Sequence, residues 1–357
     1  MPAVPSVTFS SRGGGPPVAQ PEPDCPLEAK ISYLRLPDAY RFDHARHVEA
    51  IETRLSWVFL TERHAFKLKK PRQLPELDLS TVALRRANCL TEMRLNRRLA
   101  PTVYHGVLCL ALQANGILRL CARPKPTDTV VDWVVWMQRL PTERRMDELI
   151  RSRALLPSDV RKLSVILWQF YRFSPPVPMS TDRYLGHFRQ NVEENQEAVR
   201  TRLPKGMRER TSQAAIWQRT FLKTQRSLLR SRAAEGRIIE GHGDLRPEHV
   251  FLESPPKIID CLEFDRTLRL LDPVDELSYL ALECDALGAG WIGDRILKSY
   301  MLLSGDRPDL RLIAFYRTFR ACIRIRLAAC RLDDATAGQR EHWLKRIDRY
   351  LDCIEKR

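Results

Sequence analysis

The chain is poor in several features that mark whole classes of protein. Its nine cysteines are scattered and odd in number, and none stands in a Cys-x-x-Cys pair. That excludes a zinc-finger module and the disulfide framework of a small secreted domain. Reduced thiols and a cytoplasmic location are the expectation. No apolar run is long enough to span a bilayer and no signal-peptide core is present, so no membrane partner is expected. Glycine is scarce, with 15 in 357 residues. None falls between Ile51 and Phe59, and no G-x-x-x-x-G-K-[ST] run occurs anywhere, which excludes a P-loop mechanism. There is no aromatic RNA-binding motif and no internal repeat.

What is present is apolar residue and positive charge. Hydrophobic residues make up 44% of the 357-residue chain, enough for two lobes with cores. The formal net charge is +15. A basic balance attracts phosphorylated ligands, nucleic acid or anionic membrane. Without a nucleic-acid motif, nucleic acid is not an expected partner. A basic surface around a phosphate-binding cleft fits better.

Residues 1–26 are rich in Pro, Gly and Ser and read as a disordered leader. Trp57–Leu60 and Ala65–Lys69 read as strands around a turn at Thr61–His64. Alternate strand residues share a face, so Ala65, Lys67 and Lys69 point the same way. Ser80–Leu99 reads as a helix capped by Ser80 or Thr81. A hairpin turned at Asn115-Gly116 follows, then a strand over Asp132–Met137. Beyond Gln138-Arg139-Leu140-Pro141 the pattern is mostly helical. Helices are predicted over Met146–Ala154, Ser158–Phe173, Thr181–Arg200, Ser212–Ala234, Asp275–Leu287, Arg295–Ser304, Leu310–Arg331 and Glu341–Ile354. This is an α+β bilobal layout.

The most informative stretch is Gly241-His242-Gly243-Asp244-Leu245-Arg246-Pro247-Glu248-His249, followed by Ile258-Ile259-Asp260. Phosphoryl transfer needs one carboxylate to orient the attacking hydroxyl and others to hold the magnesium that bridges the phosphates. The kinase catalytic loop, H-x-D-x-x-x-x-N with a metal-binding Asp downstream, has that spacing. Here His249 stands where Asn is usual. Magnesium prefers oxygen to imidazole nitrogen, so Mn²⁺ becomes an alternative metal. Glu263 and Asp265 lie close enough in sequence for a water-mediated metal contact.

His242 to Leu252 and Ile258 to Asp265 resemble the aminoglycoside phosphotransferase-like branch of the protein-kinase-like fold. They are closest to bacterial members whose loop reads HGDLRPEH. Ser56–Leu60, Ala65–Pro71 and Glu92–Pro101 are similar to the N-terminal lobe of that group. The resemblance implies a small β-rich N-lobe that binds nucleotide over 27–137, a hinge over 138–142 and a larger helical C-lobe over 143–357. It implies ATP and Mg²⁺ as cofactors and a small-molecule acceptor phosphorylated on a hydroxyl. Oligomeric state stays open.

In roles, the resemblance makes Asp244 the acid–base residue, His242 its loop support and Asp260 the metal ligand. The phosphate-anchoring lysine is Lys67 or Lys69, with Ala-Phe-Lys favouring Lys67, and its partner is Glu92. Ser56 occupies the phosphate-covering turn, and Met137 and Arg139 border the nucleotide. Asp275 is expected to cap a helix and brace the loop. Arg317, Arg320 and Arg324 share a helix face, as an anionic acceptor site or a solvated basic face. Two alternatives carry weight: a catalytically weak nucleotide-binding regulatory protein, and a hydrolase with a metal on His242, Asp244 and His249.

Overall fold

The computed structural model describes residues 25–74 and 77–356. The predicted leader, apart from its last two residues, lies outside them. A short helix α1 (Leu27–Leu34) opens the described chain. Strands β1 (Glu49–Glu52), β2 (Ser56–Leu60) and β3 (His64–Lys69) follow, then the two-residue pair β4 (Gln73–Leu74) and β5 (Leu77–Asp78). Helix α2 (Val82–Asn96) precedes β6 (Tyr104–Leu112), β7 (Leu118–Cys121) and β8 (Thr129–Gln138). The long strands form one six-stranded sheet in the order β1-β2-β3-β8-β6-β7, antiparallel throughout. Gly116, with φ 79°, supplies the left-handed residue of the predicted β6–β7 turn.

The alternation of β3 sets the geometry of the site. Phe66 and Leu68 bury against Tyr40 and Phe59 in the core of one sheet face. Ala65, Lys67 and Lys69 face the other way, into a cleft beneath the sheet. Helix α2 lies across that face, capped by the Thr81 hydroxyl accepting from Leu84 N at 3.2 Å.

The second lobe is helical. Its helices are α3 (Met146–Arg151), α4 (Pro157–Phe173), α5 (Thr181–Arg200), α6 (Lys205–Thr224), α7 (Arg226–Ala234), α8 (Pro273–Ala286), α9 (Gly290–Ser304), α10 (Leu310–Ala329) and α11 (Ala337–Glu355). Between α7 and α8 run β9 (Ile239–Glu240), β10 (Val250–Phe251), β11 (Lys257–Ile258) and β12 (Leu270–Leu271). A core of α4, α5, α8, α9 and α10 side chains carries Leu245, Val250, Leu252 and Ile258 of the motif loops. The loop chemistry therefore stands on a rigid base.

Three expectations need correction. The predicted helix Ser212–Ala234 is two helices, because Gln225 adopts φ −116° and ψ 17°, outside the helical range; polar periodicity does not reveal such a break. Asp275 is not the cap of α8. Asp272 is, accepting from Val274 N at 2.9 Å. The arginines of α10 form neither a free anion site nor a solvated face. Arg317, Arg320 and Arg324 pair with Asp285, Asp275 and Glu283 of α8 at 2.9, 2.6 and 2.8 Å. One helix's charges zip onto the other's.

Candidate active site

The cleft between the lobes has a volume of about 490 Å³. Its lining includes Ser56, Lys67, Lys69, Glu92, Met137, Arg139, His249, Asp260 and Glu263. Residues more than 190 positions apart meet here. Lys67 Nζ donates to Glu92 Oε1 and to Asp260 Oδ1, both at 2.9 Å. Strand β3, helix α2 and the segment after β11 are thus tied by one ammonium. Lys69 Nζ lies 2.5 Å from Glu92 Oε2 and 2.6 Å from Glu263 Oε1. Both lysines reach the glutamate, each on its own oxygen, and only Lys67 reaches Asp260. Burial disfavours charge on Glu92, but Lys67 and Lys69 outweigh it and hold its carboxyl below the usual range. Removing one member of a buried set like this costs roughly 3–5 kcal/mol, because a charge is left uncompensated.

Asp260 sits at φ 63°, a left-handed conformation that a non-glycine residue adopts at a cost. Asp is among the few residues that tolerate it. Lys67 holds its carboxyl far below the ordinary value, with His249 adding to the effect. Glu263, expected as a possible metal contact, is engaged by Lys69. Asp265 accepts from Thr267 N and Oγ1 in its own turn.

Asp244 stands one residue further along the same chain of contacts. His249 Nε2 is 3.5 Å from Asp260 Oδ2 and His249 Nδ1 is 3.7 Å from Asp244 Oδ2. The imidazole lies between the two acids. Its Nδ1 bonds the Asp244 carbonyl at 2.8 Å and its Nε2 faces Arg246 Nη2 at 3.1 Å. A carbonyl only accepts and a guanidinium only donates, so Nδ1 carries the proton and Nε2 the lone pair. Asp244 Oδ1 accepts from Tyr279 Oη at 2.9 Å and meets Arg246 Nε at 3.0 Å. Burial raises its pKa, but Arg246, His249 and Arg324 prevail and lower it.

His242 is buried, and both of its nitrogens are committed. Nε2 bonds the Ile259 carbonyl at 2.9 Å and Nδ1 accepts from Asp244 N at 3.3 Å. Burial brings its pKa down to about 4, keeping it neutral. This ring fastens the Asp244 loop to the Asp260 segment. Ser56 is buried at the start of β2, its N–H taken by Thr53 Oγ1 at 3.0 Å. Arg139 donates from Nη1 to the Thr61 carbonyl at 2.7 Å. Met137 pairs with Ala65 across β3 and β8.

Four residues at this site escaped sequence reasoning. Arg246 and Tyr279 hold Asp244. Arg98 donates to the Glu240 and Gly241 carbonyls at 2.7 and 2.8 Å, binding α2 to the loop. Glu276 does the bracing expected of Asp275: its Oε1 accepts from His242 N at 2.9 Å and Gly243 N at 2.6 Å, and Oε2 from Tyr171 Oη at 3.0 Å. A Cβ at Gly241 would come within 2.9 Å of Glu276 Oε2, so only glycine lets this brace approach. Glu276→Ala strands two buried N–H groups and a hydroxyl. It is expected to lower unfolding stability by roughly 3 kcal/mol, read by urea denaturation; a loss within experimental error contradicts the bracing role.

The GDP complex of wild-type aminoglycoside 2'-phosphotransferase-IIIa superposes on this chain with a TM-score of 0.54 at 14% identity, covering 90% of this chain and 98% of that one. This is the aminoglycoside phosphotransferase fold. A second structure with the same phosphotransferase fold is a choline/ethanolamine kinase family protein from Mesorhizobium loti, with a TM-score of 0.50, 13% identity and coverage of 93% and 100%. Uncharacterized proteins of Mycobacterium bovis and Mycobacterium tuberculosis are 28% identical over 299 residues, 82% of this chain. The chain spans 57% of the length of these curated relatives. No model of a known protein family matches it. Among the described residues no helix is long and apolar enough to cross a membrane.

Proposed function

We propose that the protein is an ATP-dependent phosphotransferase acting on a hydroxyl of a small molecule. One observation carries this reading: Lys67 ties Glu92 to Asp260, and the His249 ring stands between Asp260 and Asp244, 3.5 and 3.7 Å from their carboxylates, so the proposed phosphate anchor, metal ligand and acid–base residue lie side by side in one cluster. In this reading the nucleotide lies in the cleft beneath β2, β3 and β8, with its base toward Met137 and the hinge. Lys67 exchanges its Asp260 contact for the nucleotide phosphates, while Lys69 continues to neutralise Glu92. Asp244 orients the acceptor hydroxyl and takes its proton.

The donor set suits Mg²⁺, which uses one or two protein ligands and completes its shell with phosphates and water. Among the described residues there is no group of three His, Cys, Asp or Glu side chains placed to hold an ion unaided. Asp260 would be its principal ligand, and His249 would offer Nε2, which faces Arg246 Nη2. When bound, Mg²⁺ supplies charge neutralisation between the phosphate oxygens. The hydrolase alternative needs His242 as a ligand, and both its nitrogens are already bonded. A reducing, cytoplasmic setting fits the scattered, odd-numbered cysteines of the sequence.

Nitrogen ligation by His249 raises the preference for Mn²⁺ over Mg²⁺. His249→Asn is therefore expected to shift the kcat/KM ratio back toward Mg²⁺, measured with each metal at a pH where imidazole is neutral. An unchanged ratio contradicts ligation by His249. The function itself is tested by ATP consumption across a metabolite library with Asp244→Asn as the blank.

A further inference from the structure

The hairpin of β6 and β7 brings two cysteines together. Its turn at Asn115-Gly116 sets a register in which Leu112 faces Leu118, and three residues outward the same register puts Cys109 directly opposite Cys121. Directly opposed residues send their side chains to the same face of the sheet, with Cα atoms about 4.5–5.5 Å apart. That lies within the roughly 4.4–6.8 Å that a disulfide spans. The two sulfurs are 3.4 Å apart, and the Cys109 thiol donates to the Cys121 carbonyl at 3.2 Å. Closing the remaining gap asks for side-chain rotation, since opposed strands already stand at the right distance.

The two thiols differ in reactivity. Cys109 is fully buried on β6, with Trp133 of β8 opposite it on its other side. Burial pushes its thiol up to about 12, so it stays protonated. Cys121 is half-buried on β7, the edge strand of the sheet, where a reagent in solution reaches it. Arg119 stands two residues earlier on the same strand and so on the same face, and its guanidinium acts on both sulfurs while Asp128 shares its charge at 2.5 Å. A cation beside a cysteine favours the thiolate, which is the reactive form. Cys121 is therefore the thiol that meets the reagent, and Cys109 the one that resolves. Neither cysteine lines the interlobe cleft.

We propose that Cys109 and Cys121 form a modification site, a thiol pair that a small-molecule disulfide converts to an intramolecular disulfide and a small-molecule thiol reopens. The proposal is independent of the phosphotransferase reading. It fits a reducing compartment, where disulfides are usually transient and redox-sensing. The Cys121 thiolate attacks one sulfur of glutathione disulfide, the S–S bond of the reagent breaks, and one glutathione leaves as thiolate. Cys109 then gives its proton to solvent, and its sulfur attacks the Cys121 sulfur and expels the second glutathione. Contact makes up in proximity for what Cys109 lacks in ionisation. The protein loses two protons and two electrons, and the reagent gains them as two thiols. The product staples the edge strand β7 to the sheet that carries Lys67 and Lys69.

The test is peptide mass spectrometry on the native full chain after incubation with glutathione disulfide and blocking of the remaining thiols. Trypsin separates the two cysteines, because Arg119 lies between them; Arg123 and Lys125 each precede proline, so the next cut follows Arg139. The expected product is the peptide of residues 99–119 joined to that of residues 120–139, lighter than the two reduced peptides by two hydrogens. It is expected to disappear in Cys121→Ser and in Cys109→Ala, and to return to two thiols in excess reduced glutathione. Cys121 is half-buried at a sheet edge, so Cys121→Ser is expected to keep the fold; the wild-type result stands without either variant. A glutathione adduct on the exposed Cys330 shows that the reagent was active. With that adduct present, the proposal is overturned if Cys121 stays free or carries only glutathione. It is also overturned if the joined peptides form only in urea-denatured protein, or if excess reduced glutathione leaves the link intact.

Discussion

Asp244→Asn is expected to lower turnover at least about a hundredfold, the scale of a positioned acid–base group, while leaving nucleotide affinity and thermal stability near wild type. Asparagine has the same shape as aspartate, and its carbonyl oxygen still accepts from Tyr279 Oη, which bonds Asp244 Oδ1 at 2.9 Å. The backbone contacts to His242 and His249 are untouched. What disappears is the negative charge and the capacity to take a proton. Because Arg246 and His249 outweigh burial and keep the carboxyl below its ordinary pKa, the group is charged at neutral pH and ready to accept. Steady-state kinetics with a coupled assay for ADP decides the point. Turnover equal to wild type removes Asp244 from the reaction.

The second large effect is at Asp260. Asp260→Asn is expected to abolish the Mg²⁺-dependent part of nucleotide affinity, with Asp260→Ala behaving alike and Glu263→Gln reducing it only in part. Asparagine is the cleaner replacement, because it tolerates the left-handed conformation at φ 63° as aspartate does. Lys67 is left with Glu92 as its remaining close carboxylate, so the lysine stays held. The difference from Glu263 follows from the contacts: Glu263 Oε1 is bound by a buried Lys69, whereas the Asp260 side chain is 46% exposed. Titration of Mg²⁺ against a fluorescent ATP analogue measures it. Equal metal dependence in wild type and both Asp260 variants contradicts the assignment.

Much of the arrangement of the candidate site was legible in the sequence because its residues fall in short patterns on single elements. Strand alternation placed Lys67 and Lys69 on one face, and both point into the cleft. The lone acid of the basic helix, Glu92, is buried against them. Sequence left the choice between the lysines open, and the structure shows why: each takes one oxygen of the same carboxylate. What was not legible depends on contacts far apart in the chain. Glu276 and Asp275 are adjacent, and only the path of α8 past the loop decides that Glu276 meets His242 and Gly243 while Asp275 turns to Arg320. The basic face of α10 looked like a solvated stripe because its neutralising acids lie on α8, some 30 to 45 residues earlier. The break at Gln225 is a local backbone departure without a glycine or proline to announce it.

The central claim is that the chain of contacts from Lys67 to Asp244 moves phosphate from ATP to a hydroxyl. The most direct measurement is transfer of label from γ-labelled ATP into a metabolite mixture in the presence of Mg²⁺, with wild type and Asp244→Asn side by side. The account predicts a labelled phosphate monoester with wild type and at least about a hundredfold less with the variant. Absence of any labelled product with wild type, or equal labelling by both proteins, contradicts it.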